Sequence, residues 1–574
     1  MSQEPALSPH RPELVTRGLP PPRPRWLQLA ISSDHKDVGR IFIGAALGFL
    51  VIGLVEFVLM RLQLIVPQND LIDSVTFNRL LSVWGPTMLL LFALPLVIGL
   101  FTYLVPLQIG ARATAFPRLG SLALWLFLIG GAVLYASFSY TPPESGTLGL
   151  PPLSDDIAFI SNNGVDVWIT AVGLVVLGLV LQAVNLVVTT RRMRAPGLAW
   201  RRMAPFSFSA SVCGWLLIAL GPLMLAALTM LQIDRQFDGV FFEAGEGGAP
   251  LYYQHLAWLF FTGAYLVMVV SAVGVVSEVL PTFSGKPLLS RGAIAASMVA
   301  IAVLGTLAWM QNMFSASIPI GWLYFAMAAA LLLVVPLGLV FLNWLATLFS
   351  GAVSLRAPML FALAAISTLS FGLVGELAQS LIPVSWLLAD TTGATADTGY
   401  VLVGGPVLAG FAALHYWFPK LCGRTMGEGL ARLSVLLILV GAHLTFIPMG
   451  LAGLDGQPVD VYRFYDVGDL DLYNALSTIG ALVLAGGIIV SIVNAAVSVR
   501  GGVRAGPDPW GGETLEWFAL SPPPPHNFDV VPDVRSAEPM RDIREAIAAR
   551  PAEEARPTPA PAGEERSERG EPVA

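Results

Sequence analysis

The chain has 574 residues, of which 55% are hydrophobic and only 12% charged, with a mean hydropathy of +0.70. That composition excludes an ordinary soluble globule and places most of the chain in a lipid bilayer. The formal net charge of −7 says little by itself, because an acidic C-terminal tail supplies much of it. Nucleic acid is not an expected partner.

The first 32 residues are rich in Arg and Pro and lack an apolar stretch before Trp26. They read as a cytoplasmic arm rather than a cleaved signal peptide. A span of hydrocarbon of about 30 Å needs roughly 20 apolar residues per helix. Stretches near 41–60, 84–106, 119–138, 166–189, 208–232 and 253–281 meet that need. So do 293–309, 320–347, 358–384, 400–418, 433–453 and 474–497. The expected fold is therefore an all-α integral membrane bundle of about twelve transmembrane helices, spread over 33–500. A cytoplasmic segment over 501–536 and a disordered, Pro- and Glu-rich tail over 537–574 follow.

Charge orients the bundle. Connections after even-numbered spans carry Arg112 and Arg118, then Arg191 to Arg202, then Lys286, Arg291, Arg356, Lys420 and Arg424. The intervening connections are acidic or nearly neutral, as at Asp155 and at Asp466, Asp469 and Asp471. The positive-inside rule then puts both termini in the cytoplasm, in a bacterial-type inner membrane. Cys213 and Cys422 are the only cysteines and cannot build a disulfide framework.

Several long segments occur in a telling order. They include TYLVPLQIGARATAFPRLG (102–120), SEVLPTFSGKP (277–287), HYWFPKLCGR (415–424) and DPWGGETLEWFALSPPPPHNF (508–528). With them, residues of about 33 to 533 resemble subunit I of the haem-copper oxidases, in particular the aa3-type cytochrome c oxidases. The resemblance implies two haems and a copper ion held by His side chains, at positions that this sequence fills differently. Trp84, in Trp84-Gly85-Pro86-Thr87-Met88, stands where an axial haem His is implied. Thr262 stands at a copper-ligand position, and Leu266 at that of the Tyr cross-linked to the ligand. Gln311 and Asn312 replace the adjacent His pair implied for copper, and Asp397 and Gly399 the two haem ligands of the tenth span. An indole N–H donates but does not ligate iron, and amides are poor copper ligands beside imidazole.

Positions that the resemblance links to proton handling differ as well: Ala113, Ala264 and Val340 replace an Asp, a Glu and a Lys. Val459 and Asp460 fall where two Arg are implied for haem propionates. The expected cofactor set is accordingly empty: no haem and no copper. Of the remaining intramembrane His, none of His255, His415 and His443 shares a depth with another, and each reads as a hydrogen-bonded helix residue. Met310 and Met313 read as packing residues, and Glu56 and Glu278 as partners within the bundle. Glu376, on the same helix as Gln379, does not fit the resemblance and is a candidate pocket residue for a polar ligand or cation. A close-packed interior does not keep the space of two porphyrins empty. The expectation is therefore either a collapsed core, with Trp84 and Leu266 filling it, or a bound lipid or quinone.

Three functions follow from these readings. The first is a non-catalytic scaffold, assembly or regulatory subunit beside subunit II- and III-like partners and membrane lipid. The second is an active terminal oxidase carrying electrons to dioxygen. The third is a membrane pocket repurposed for lipid, quinone or an ion.

Overall fold

The computed structural model describes residues 31–155, 163–349 and 351–548. The expected N-terminal arm and the end of the C-terminal tail fall outside these residues. Among those described, twelve helices are long and apolar enough to cross a membrane, and no strand is present. They are α1 (His35–Gln63), α2 (Ser74–Gln108), α3 (Pro117–Ser139), α4 (Gly164–Arg192), α5 (Pro205–Phe237) and α6 (Pro250–Ser284). The second half comprises α7 (Arg291–Met313), α8 (Ile320–Phe349), α9 (Ala357–Gln379), α10 (Thr392–Cys422), α11 (Glu428–Leu454) and α12 (Leu470–Gly501).

Local chemistry starts several of them. Asp34 caps α1 by accepting the Lys36 backbone N–H at 2.9 Å, and Asp73 caps α2 by accepting those of Val75 and Thr76, both at 3.1 Å. Thr391 caps α10 by accepting the Gly393 N–H at 3.3 Å, and both α2 and α10 begin well before their apolar stretches, at capped polar residues that hydrophobicity alone could not delimit. In α2 and α10, 94% of the most apolar window is buried, so these two form the centre of the bundle. Each widens into a π-helical turn, Thr87–Ala93 and Val403–Ala409. Pro86 and Pro406 accompany these turns, and a proline without an N–H favours a local change of hydrogen-bond register.

Helices α11 and α12 meet through small residues. A Cβ on Gly480 or Gly487 would run into the backbone of α11, and one on Gly441 into that of α12. Ser434 hydroxyl–Ser491 hydroxyl contact at 2.5 Å adds a polar clasp to this seam.

At the end of the bundle that holds the basic loops, residues 507–528 pack across α1, α2 and α10. The Glu516 carboxylate is fully buried and accepts from Trp417 Nε1 at 2.9 Å, Gln108 Nε2 at 3.1 Å and Thr514 Oγ1 at 2.8 Å. Lys36 donates to the Pro525 carbonyl at 2.9 Å, and Lys420 to the Ala519 carbonyl at 2.6 Å. Part of the stretch expected to be disordered is helical. Pro539–Ala548 forms a helix, α13, held by Arg541–Glu513 and Arg544–Asp508 ion pairs at 3.1 and 2.5 Å.

Candidate functional site

A cavity of about 930 Å³ lies inside the bundle, at the upper end of the range of small-molecule pockets. Helices α1, α2, α6, α7, α9, α10, α11 and α12 all contribute to its wall. Of the seven site residues expected from sequence, six line it: Trp84, Thr262, Gln311, Asn312, Glu376 and Gly399. Positions separated by more than three hundred residues in the chain thus converge on one space.

One half of this cavity is polar. Asn312, in the 3₁₀ turn that ends α7, donates through Nδ2 to Thr262 Oγ1 on α6 at 3.3 Å. Ser380 Oγ lies 2.8 Å from Gln311 Oε1 and 2.9 Å from the Glu376 carbonyl, tying the end of α7 to α9. Glu376 is half-buried, with its accessible edge on the cavity. The buried Tyr265 hydroxyl approaches Glu376 without the geometry of a hydrogen bond.

The other half is apolar and aromatic. Trp84 stacks on Phe57 with ring centroids 5.7 Å apart and planes 18° from parallel, and its buried indole N–H has no hydrogen-bond partner. Leu54, Leu484, Ile488 and Phe446 complete this wall. Phe446 lies directly over Gly399, where any Cβ would meet its ring. A loop between α3 and α4, Ser145–Leu153, covers one end, and Gly85 lets Thr147 approach α2 closely.

Asp397 does not line the cavity; it turns towards α9, where Gln379 Nε2 donates to it at 2.5 Å and Gly375 leaves room for its carboxylate. Leu266 does not fill the space either, because it packs on Gly305 of α7. The core has not collapsed, although α10 does approach its neighbours closely at Gly393 and Gly404. Rigid helices touching through backbone at these glycines cannot close further, so the cavity remains.

The remaining assignments are local. His415 Nδ1 contacts its own helix at the Phe411 carbonyl, 2.9 Å away, and His443 Nδ1 contacts the Tyr400 hydroxyl at 3.0 Å. His255 departs from expectation: it packs edge-on against Trp309, and its Nδ1 makes no hydrogen bond. Met310 packs with Phe314 and Ile382, and Met313 is buried, both away from the cavity. Glu56 accepts from the Tyr135 hydroxyl at 3.0 Å, and Glu278 from the Phe206 backbone N–H at 3.2 Å, as structural partners do. Tyr265 is a cavity residue that sequence reading did not single out, whereas Val459 and Asp460, placed by the resemblance at propionate positions, do line the cavity. Tyr265 immediately precedes Leu266, so its signal was one residue from a position already under scrutiny. Burial, with the charge of Asp390 beside it, raises the Asp460 carboxyl above the usual carboxylate range.

The donor set does not fit haem or copper. Among the described residues, the cavity lining contains no His, Cys, Lys or Arg, and no three His, Cys, Asp or Glu cluster as a metal site. Its oxygen and amide donors suit neither ferrous iron nor copper. Met88, Met268 and Met449 offer thioethers, but the Met88 sulfur is committed to packing on Gly53. Asp460 would also oppose a propionate rather than pair with it.

The cytochrome c and quinol oxidase polypeptide I family matches residues 37–483. Cytochrome c oxidase subunit 1 of Thermostichus vulcanus is 37% identical over 502 residues, covering 87% of this chain and 90% of the relative. The Bacillus subtilis subunit 1 is 33% identical over 510 residues, covering 88% and 81%. Heme-copper oxidase subunit I+III of Aeropyrum pernix is 34% identical over 513 residues, covering 89% of this chain and 62% of that longer relative. A cryo-EM structure of a heme-copper terminal oxidase dimer superposes with a TM-score of 0.68 at 14% identity, over 82% of this chain and 85% of the other. That last likeness is one of fold. The extent of the family match and the identity to these relatives together establish that this multi-pass membrane protein belongs to the cytochrome c and quinol oxidase polypeptide I family.

Proposed function

We propose that this chain is a non-catalytic member of its family, serving as a scaffold, assembly or regulatory subunit of a respiratory oxidase complex. It reduces no dioxygen and pumps no protons. The observation that carries this reading is the cavity wall, where five of the six implied ligand positions meet and no imidazole is found. Dioxygen reduction in such enzymes is the chemistry of haem and copper, which side chains alone do not replace. Its family membership favours subunit II- and III-like partners in a bacterial-type inner membrane.

The relatives are named as ordinary oxidase subunits, which favours an active terminal oxidase as the second reading. A pyridine haemochrome and copper assay on gently purified protein separates the two. The non-catalytic reading expects neither group in stoichiometric amount on the isolated chain. One or two haems per chain would overturn it.

A further inference from the structure

The chemistry of the cavity wall restricts what it takes. Its charged lining residues, Glu376 and Asp460, are both acidic, and no basic residue balances them among the described residues. A carboxylate or phosphate head would enter with no basic group to pair it. An ammonium head would suit the carboxylates but could only donate. The polar half also presents a donor: Gln311 uses its carbonyl oxygen with Ser380 while its Nε2 is left for another acceptor. A hydroxyl group both donates and accepts, and it alone of these heads satisfies both kinds of wall group. The opposite half, from Trp84 and Phe57 to Leu484, is an aromatic and aliphatic surface suited to a ring or chain.

We infer that the cavity binds a neutral apolar molecule with a hydroxyl head, a hydroquinone or a membrane alcohol. Its head lies among Glu376, Tyr265 and Gln311, and its apolar body lies along Trp84 towards α12. This assignment rests on the non-catalytic reading, since haem would claim the same space.

Binding to the purified full chain in detergent, followed by calorimetry and thermal shift, tests it with four probes: decyl hydroquinone, hexadecanol, hexadecyl phosphate and hexadecylamine. The hydroxyl probes are expected to bind at least about tenfold more tightly than the phosphate or the amine. Preference for decyl hydroquinone over hexadecanol identifies the ring-bearing source, and the reverse identifies a membrane alcohol. Glu376→Gln adds an amide N–H donor while keeping the shape, so it should narrow the alcohol-over-phosphate ratio about tenfold. A merely structural Glu376 would not move that ratio. Gln311→Leu, a second variant independent of Glu376, should weaken hydroxyl probes and leave hexadecylamine unchanged. Equal binding of phosphate or amine overturns the assignment. Haem-free protein that binds none of the probes overturns this inference alone, whereas stoichiometric haem overturns the non-catalytic reading with it.

Discussion

Replacing Gly399 by Ala probes the wall of the cavity at an implied haem-ligand position. Three Phe446 ring atoms lie where the new Cβ would sit, among them Cζ at 2.7 Å and Cδ1 at 2.9 Å, too close for real Cβ contacts. The ring is itself confined, because Tyr400 packs on it with centroids 5.1 Å apart. Overpacking of this kind costs about 1–3 kcal/mol. Relief of glycine's entropy in a helix returns about 1 kcal/mol. The net expectation is a loss of about 1 kcal/mol. In a Phe446→Ala background the clash disappears and the helix term alone remains, so Gly399→Ala should then stabilise. The coupling between the two sites should therefore be about 1–3 kcal/mol. Unfolding of detergent-solubilised protein in a denaturing-detergent titration, carried through the four-member cycle, measures it. Equal effects of Gly399→Ala in both backgrounds would refute the packing of Phe446 over this position.

Other perturbations test the surroundings. Asp460 holds a left-handed backbone (φ 60°) that Asn tolerates, and burial followed by the Asp390 charge raises its carboxyl. A raised carboxyl makes stability fall as pH rises through its titration, so Asp460→Asn should raise the melting temperature at pH 7 and converge with the parent near pH 4. Glu516→Ala leaves Trp417 and Gln108 without their buried acceptor, at a cost of about 2–4 kcal/mol, and should speed tryptic cleavage within 502–548. Glu516→Gln, which keeps the acceptor oxygen, should be far milder. At Asp34, burial works to raise the carboxyl, but the Lys36 backbone N–H and ammonium outweigh it and hold it below the usual range. Its stabilisation is thus present at neutral pH and lost in acid, and Asp34→Ala should cost about 1 kcal/mol in circular-dichroism melts above pH 5 only.

The twelve helices were legible because a bilayer forces each to be long and apolar: eleven of the twelve expected stretches fall within helices, and the ninth, 358–384, overruns the end of α9 at Gln379. What hydropathy missed were their polar ends. The first turns of α2 and α10 begin at Ser74 and Thr392, where caps rather than apolar residues set the boundary. The site was legible as a set of positions, since a resemblance in frame brings them together without any geometry. Side-chain direction was not. Asp397 and Gly399 lie two residues apart on α10, about 200° around a helix, so one can face the cavity only if the other faces elsewhere. Gly375 and Gln379 on α9 decide which, and that choice depends on a neighbour that no local pattern encodes.

The contacts that build the fold lie away from the cavity. The backbone-to-backbone seam at Gly441, Gly480 and Gly487 would be broken by any Cβ, yet none of these glycines touches the cavity. The Glu516 hub ties α2 and α10 to the C-terminal segment at the end of the bundle away from Gln311 and Glu376. On the acidic-loop side, Arg235 of α5 pairs with Asp166 of α4 at 3.1 Å and holds the Ser154 carbonyl at 2.7 Å, just beyond the loop that covers the cavity. Substitutions at Trp84, Thr262, Gln311, Asn312 and Gly399 therefore change the lining while leaving these supports intact. A helical shell fixed by glycine contacts and buried polar hubs has no means of shrinking onto a smaller lining. The same rigidity that preserves the family fold thus preserves a chamber, and the chamber's chemistry, acidic and hydroxyl-bearing at one half and aromatic at the other, is what remains for selection to use.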